Sequence, residues 1–428
     1  MGVISLNKRE KKLNAKKGIS YPIHDISVLG PGGGFTLGLQ HVFTLFASTV
    51  LVPILTGLDV GVALITSGIG TLLFHFITKG KVPAYLGSSF SFIAPVILAG
   101  ELYGLEYARG GIIVAGAIYI LFAWLISVFG VEKIIKFFPP IVTGPIIIVI
   151  SMTLAPNAIN MASQNWLISM VTLAVIIGVS VYGKGFIKIV PVIIGLVVGY
   201  ILSAILGEID YSPIVQAGWI GVPNFSLPKF NVGAIMIVAP IALTTIVEHI
   251  GDVLAMGGVV KKDFTKDPGL TRTLMGDGIA TSFAALVGGP ANTTYSQNTG
   301  VVALTGVWDP KVMRIAAVIT IFIGLVPKLN AFTSTIPKPV IGGAVIVLFG
   351  MIASIGLRTL VDNKIDFSVT RNMIIAAVVL VFGLGGAVIP IKIGLVEIKF
   401  VGMALAAIIG IILNIILPQE KIGDKETI

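Results

Sequence analysis

The sequence predicts an all-α polytopic membrane protein whose fourteen transmembrane segments form two inverted repeats of seven. Three observations carry that expectation. Of 428 residues, 55% are hydrophobic and 11% charged, with a mean hydropathy of +1.01, whereas about 25% of residues are charged in soluble domains. Apolar stretches near the roughly 20 residues that cross a bilayer recur from Phe35 to Leu417 with short breaks. Lysine and arginine also gather in alternate connections, as they do when one set of loops stays cytoplasmic.

Residues 1–34 read as a basic, Gly-rich and polar tail without the apolar core of a cleavable signal. The crossings then fall near 36–56, 60–78, 84–99, 110–130, 138–155, 165–183, 187–206, 233–258, 270–287, 291–306, 311–327, 339–357, 371–390 and 398–417, with a short tail at 418–428. An even count puts both termini on one side. If that side is cytoplasmic, 23 of the 29 Lys and Arg lie there, leaving Arg109, Lys229, Lys328, Lys338, Lys392 and Lys399 opposite. The net charge of +9 therefore expresses orientation in a cell membrane, with cytoplasmic N- and C-termini, and does not call for nucleic acid.

Two crossings make poor helices. The third, Pro83 to Val96, and the tenth, around Gly288 to Gly306, are short and interrupted by Gly, Pro or Ser. The tenth holds an eight-residue polar run, Asn292 to Thr299. In lipid each unsatisfied polar group costs several kcal/mol, so such a run persists only when buried in protein or lining a cavity. The halves correspond: Pro83-Ala84 with Pro290-Ala291, Gln40-His41 with Glu248-His249, and Pro140 with Pro339, at offsets of 207, 208 and 199 residues. Such spacing implies a duplication, 35–207 and 233–417. Seven crossings is odd, so the second copy enters from the other side. Paired broken helices in inverted repeats point to a transporter site.

Charge deep in the spans is rare. Glu248 and Asp252 share one face of the eighth crossing, with His249 adjacent, and a carboxylate in the membrane is by default a candidate for proton relay or substrate binding. Asp277, in the ninth span, reads as a capping or pairing residue. His41, beside Gln40, reads as a hydrogen-bonded packing residue. Phe90 and Tyr295 offer flat faces, although aromatics in bundles usually only pack. The chain has no cysteine and four scattered histidines, which disfavours a metal site. It has no GxxxxGK[ST], so no P-loop is expected, nor is there a nucleophile–base set that would indicate an enzyme. No cofactor is expected. No Lys or Arg lies between Lys81 and Arg109 or between Arg272 and Lys311, which argues against an anion transporter or channel.

The segment Gln297-Asn298-Thr299-Gly300 through Thr305-Gly306 resembles the signature of the nucleobase-ascorbate transporter family. KGKVPAYLGSSFSF from Lys79, VEHIGD from Val247, KKDFTKDPGL from Lys261 and NTTY from Asn292 also look like the bacterial uracil permeases in that family. The resemblance implies a core domain of segments 1–4 and 8–11, a gate domain of segments 5–7 and 12–14 that supports a homodimer, and a short strand in each of segments 3 and 10. It places the substrate-binding carboxylate on Glu248 and the second base-gripping side chain on Gln297. Backbone N–H groups of Phe90 and Ser296 would meet ring oxygens, Phe90 and Tyr295 would flank the ring, and Ser89 and Phe349 would complete the site. Proton coupling would fall to Glu248 with Asp252 and His249, supported by Gln40, His41 and Asn298. The implied activity is proton-driven import of an uncharged nucleobase, uracil first. Xanthine stays open because uracil permeases usually carry Glu at position 297, end the signature in a basic residue where this chain has Gly306, and have Tyr at position 349. Asp252 stands where some of them have His.

Overall fold

A computed structural model describes residues 22–131, 133, 139–393 and 396–418. The tails at 1–21 and 419–428 lie outside these residues, including the basic run from Lys8 to Lys17. The fold is mostly helical and membrane-spanning. After a short 3-10 turn at Ile26–Leu29 the elements are α1 (Gly30–Thr56), α2 (Val60–Ile77), β1 (Leu86–Ser88), α3 (Ile93–Tyr103), α4 (Leu105–Phe129), α5 (Pro140–Ser163), α6 (Trp166–Tyr182), α7 (Pro191–Ile205), α8 (Ser212–Gln216), α9 (Val232–Val238), α10 (Ile241–Val260), α11 (Leu270–Val287), β2 (Asn292–Thr294), α12 (Ser296–Thr305), α13 (Lys311–Gly324), α14 (Pro327–Ser334), α15 (Lys338–Asp362), α16 (Thr370–Leu384), β3 (Val388–Ile393), β4 (Val396–Val401) and α17 (Gly402–Ile416).

Six spans are long and apolar enough to cross a bilayer, α13 with α14 makes a seventh bent by 79°, and five shorter apolar helices accompany them among the described residues. Punctuation of these spans is local. Asp59 caps α2 by accepting from Val62 N at 2.9 Å, and Asn231 caps α9 from Gly233 N at 2.8 Å, each supplying an acceptor to a first-turn N–H that has none in the helix. Gly288, at φ 110°, stops α11 just short of β2, a backbone state that a side chain would strain.

The eighth is a single span as expected, Val232–Val260, with a local break at Ala239-Pro240 between α9 and α10, where proline removes a helix donor. Several other expected crossings come out differently. The eleventh ends at Gly324 and turns into α14 at Pro327. The thirteenth and fourteenth are shorter than their apolar stretches: 388–401 forms an antiparallel hairpin, Val388 opposite Val401 through Ile393 opposite Val396.

The chain divides into two compact units, Met1–Trp124 with Asn157–Val347, and Leu125–Pro156 with Leu348–Ile428. The second unit has a core of Ile141, Ile146, Ile150, Leu360, Ile375 and Val379. In the first, α2 is central, with α11 and α13 packed on it. Small residues permit the approach: a methyl on Gly276 would meet Phe74 at 2.8 Å, and one on Gly278 would meet the Gly116 carbonyl of α4 at 2.7 Å. Lipid supplies no hydrophobic drive between helices, so close van der Waals packing of this kind holds them together.

Candidate functional site

β1 and β2 pair antiparallel within the first unit, Leu86 opposite Thr294, Gly87 opposite Thr293 and Ser88 opposite Asn292. Each strand is followed after one residue by a helical segment, the 3-10 turn Phe90–Phe92 leading into α3, and α12 beginning at Ser296. The tenth and third segments are thus broken as expected, each with its short strand. Several backbone groups released by the breaks are satisfied within the protein. Ser67 on α2 donates to Leu86 O at 2.5 Å, and Thr71 accepts from Leu86 N at 3.0 Å. His75 Nε2 bonds Ala84 O at 2.9 Å. For β2, Thr281 donates to Asn292 O at 2.6 Å, and Asn292 Nδ2 donates to Thr66 O at 2.9 Å. Ser89 N closes the pair onto Ala291 O at 2.8 Å.

Helix N-termini leave first-turn N–H groups without intrahelical acceptors and carry a partial positive charge. Two of them, at Phe90 and Ser296, therefore begin beside the strand pair. Glu248 on α10 reaches this region: Ser91, in the 3-10 turn, donates to Glu248 Oε2 at 3.2 Å. Phe90 and Tyr295 are both buried and meet edge to face, ring centroids 6.4 Å apart, and the Tyr295 hydroxyl donates to Ser88 O. Ser89 is buried with no partner for its hydroxyl among the described residues. Gln297 is exposed on the first turn of α12, and Asp252 is half-buried one turn beyond Glu248.

A second polar layer lies behind Glu248. His249 Nδ1 is 3.0 Å from Asp277 Oδ2 with both side chains fully buried, and 3.1 Å from Thr294 Oγ1. Thr293 donates to the same carboxylate at 3.4 Å. His249 Nε2 and Asp277 Oδ1 have no partner among the described residues. Asn298 ties three elements together: Oδ1 accepts from His41 Nδ1 on α1 at 2.5 Å, while Nδ2 donates to Pro83 O at 3.3 Å and to the Met313 sulfur at 3.4 Å. Gln40 stands beside His41 with its Oε1 buried and unpartnered among the described residues.

A model described as the permease family matches residues 32–392. The chain belongs to this permease family, the nucleobase-ascorbate transporters. It is 43% identical over 432 residues to a protein of Bacillus subtilis named uracil permease, covering 96% of this chain and 98% of that one. It is 44% identical over 394 residues to a probable uracil permease of Haemophilus influenzae, covering 90% and 94%. The uracil permease of Escherichia coli K12 is 40% identical over 408 residues, covering 91% and 94%. Two solved transporters share the fold: the transmembrane domain of a cyanobacterial bicarbonate transporter, BicA (TM-score 0.55, 15% identity, 92% of this chain and 98% of that one), and murine solute carrier 26 member A9 (TM-score 0.64, 12% identity, 96% and 72%).

In this permease the structure gathers Glu248, Ser89, Phe90, Tyr295 and the start of α12 around one strand pair. Phe349 is buried on α15 in the second unit. Sequence reasoning missed Ser91, the hydroxyls of α2 and His75; the signal available was the recurrence of Thr66, Ser67, Thr71 and His75 along one apolar helix. Gly87 marks how tightly the site is drawn. A methyl there would meet the Tyr295 ring at 2.7 Å and Thr49 Oγ1 at 2.9 Å. Gly87→Ala is therefore expected to weaken substrate binding about tenfold, with overpacking of about 1–3 kcal/mol, while leaving the helical circular dichroism unchanged. Binding calorimetry on the purified variant checks this.

Proposed function

We propose that this protein is a proton-coupled symporter that imports an uncharged nucleobase, uracil, by alternating access. The observation that supports it best is the Glu248 carboxylate set beside two half-helix N-termini, with the Phe90–Tyr295 aromatic pair alongside. Uracil presents two N–H donors and two carbonyl acceptors on a flat ring. A carboxylate accepts from ring N–H, first-turn backbone N–H groups donate to carbonyls, and aromatic faces cover the ring. A site that hydrogen-bonds an edge rejects analogues lacking it by factors of about ten thousand. The names of the three permease relatives agree with this substrate.

In the cycle we envisage, Glu248 takes a proton with the base, so that no bare carboxylate crosses the occluded state, and Asp252 lies on the relay path toward water. A core domain of segments 1–4 and 8–11 moves against a gate domain of segments 5–7 and 12–14. What supports the underlying two-fold repeat is that both broken segments carry a three-residue strand, β1 and β2, each followed after one residue by a helical segment.

Radiolabelled uracil uptake into proteoliposomes tests the proposal. Accumulation should follow an imposed inward proton gradient, and uptake indifferent to that gradient would defeat the coupling. One residue favours a second substrate: Gln297 both donates and accepts, whereas a carboxylate only accepts, which suits xanthine. Competition of labelled uracil by xanthine therefore decides between them. Gln297→Glu is expected to raise the preference for uracil over xanthine by roughly tenfold, the effect of one charged hydrogen bond, read as the ratio of inhibition constants.

A further inference from the structure

We propose that a cavity at the C-terminal end of α10 binds the phosphate headgroup of an anionic phospholipid. The cavity measures about 410 Å³ and lies between the last turns of α10 and the loop to α11. Its α10 wall is Val253, Leu254, Gly257 and Gly258, centred about half a turn around the helix from Glu248, so it is separate from the nucleobase site. Val253 and Phe264 are buried at its base, and Leu254 is 56% exposed on its wall. Lys261 and Lys262 stand at its mouth, both exposed.

Lys261, Lys262 and one carboxylate, Asp263, line the cavity, so basic charge is in excess there. Asp263 accepts from the Thr265 hydroxyl at 2.5 Å and lies 3.5 Å from Lys266 Nζ, while Asp267 is held by Lys81 at 2.5 Å. Both carboxylates have other basic neighbours, Lys266 for Asp263 and Lys81 for Asp267, and no ion pair involves Lys261 or Lys262 among the described residues. The C-terminus of α10 supplies only about half a negative charge, too little to account for two lysines. A polar anion alone would use the lysines and waste the apolar wall. A phospholipid uses both: the phosphate meets the ammonium groups while the glycerol and first acyl carbons lie against Leu254 and Phe264. Gly258 leaves the wall open, since a methyl there would meet nothing within 4 Å.

The test is native mass spectrometry of the full chain released from micelles containing equal phosphatidylglycerol and phosphatidylcholine. Wild type should retain phosphatidylglycerol preferentially. Each basic residue at a membrane surface adds about fivefold to anionic-lipid affinity, so Lys261→Gln with Lys262→Gln should cut that preference about twenty-five-fold. Lys184→Gln with Lys188→Gln, two exposed lysines elsewhere, should leave it unchanged. Gly258→Leu, which fills the cavity and keeps both charges, should also lower retention. Equal retention by wild type and the Lys261/Lys262 variant would overturn the proposal, as would full retention by Gly258→Leu. Displacement of the lipid by millimolar inorganic phosphate would show a free-phosphate site and overturn the lipid assignment.

Discussion

Glu248→Gln is expected to abolish gradient-driven accumulation of the nucleobase and to weaken its binding by about 10- to 100-fold. The substitution preserves shape and one acceptor oxygen but removes the charge, and a hydrogen bond to a charged group is worth about 1.5–3 kcal/mol. It also removes the site's capacity to take up a proton. One coupled proton lets each pH unit sustain about 1.4 kcal/mol of substrate gradient, or tenfold accumulation; without it, uptake can only equilibrate. Ser91, the hydroxyl that donates to Glu248 Oε2, supplies the internal comparison. Ser91→Ala removes a neutral donor worth about 1 kcal/mol and should keep coupling intact. Comparing the steady-state internal concentration of labelled base with and without a pH gradient separates the two effects. Accumulation by Glu248→Gln that still tracks the gradient would remove Glu248 from the coupling step.

How much of this was readable from residues alone depends on whether the deciding interaction is local. The broken tenth segment is legible because an eight-residue polar run cannot persist facing lipid, the third because it matches the tenth at a constant offset, and Glu248 because a carboxylate is rare at that depth. The partners of the broken backbone are not. Ser67 and Thr71 lie 19 and 15 residues before the Leu86 groups they bond, and hydroxyls are common enough in membrane helices to carry no signal alone. His75 carries no such signal in the sequence, yet it is buried and bonded to Ala84 O. The hairpin at 388–401 was hidden because its residues are as apolar as a crossing, although Val396-Glu-Ile-Lys-Phe-Val401 alternates with the period of a strand. Between Gly324 and Pro327 apolar composition runs on while the helix ends and turns by 79°; at Pro240 the missing proline donor only interrupts the ladder of a span that continues.

Asp277 illustrates the same limit and carries the second large prediction. Its sequence neighbours show only a carboxylate in an apolar helix, but the fold places it against His249, 28 positions earlier, in a fully buried pair. Two magnitudes compete here. Polar contacts between membrane helices average about 0.6 kcal/mol and reach about 1.7, whereas breaking a buried ion pair by removing one partner costs about 3–5 kcal/mol. The second should govern, because Asp277 Oδ1 and His249 Nε2 already lack partners and removing either residue leaves the other with Thr293 or Thr294 alone. Asp277→Leu and His249→Leu are each expected to lower stability by about 3–5 kcal/mol, and the double variant by clearly less than their sum. A double-mutant cycle on unfolding in mixed micelles measures the coupling. A coupling above about 2 kcal/mol identifies a charge-bearing pair, while one below about 1 kcal/mol would make it an ordinary interhelical hydrogen bond. The pair abuts β2 through Thr293 and Thr294, so its loss should also loosen the strand pair. Asp277→Leu is thus expected to raise the substrate dissociation constant along with the fall in stability, since the half-helix N-termini proposed to meet the base begin one residue beyond that strand pair.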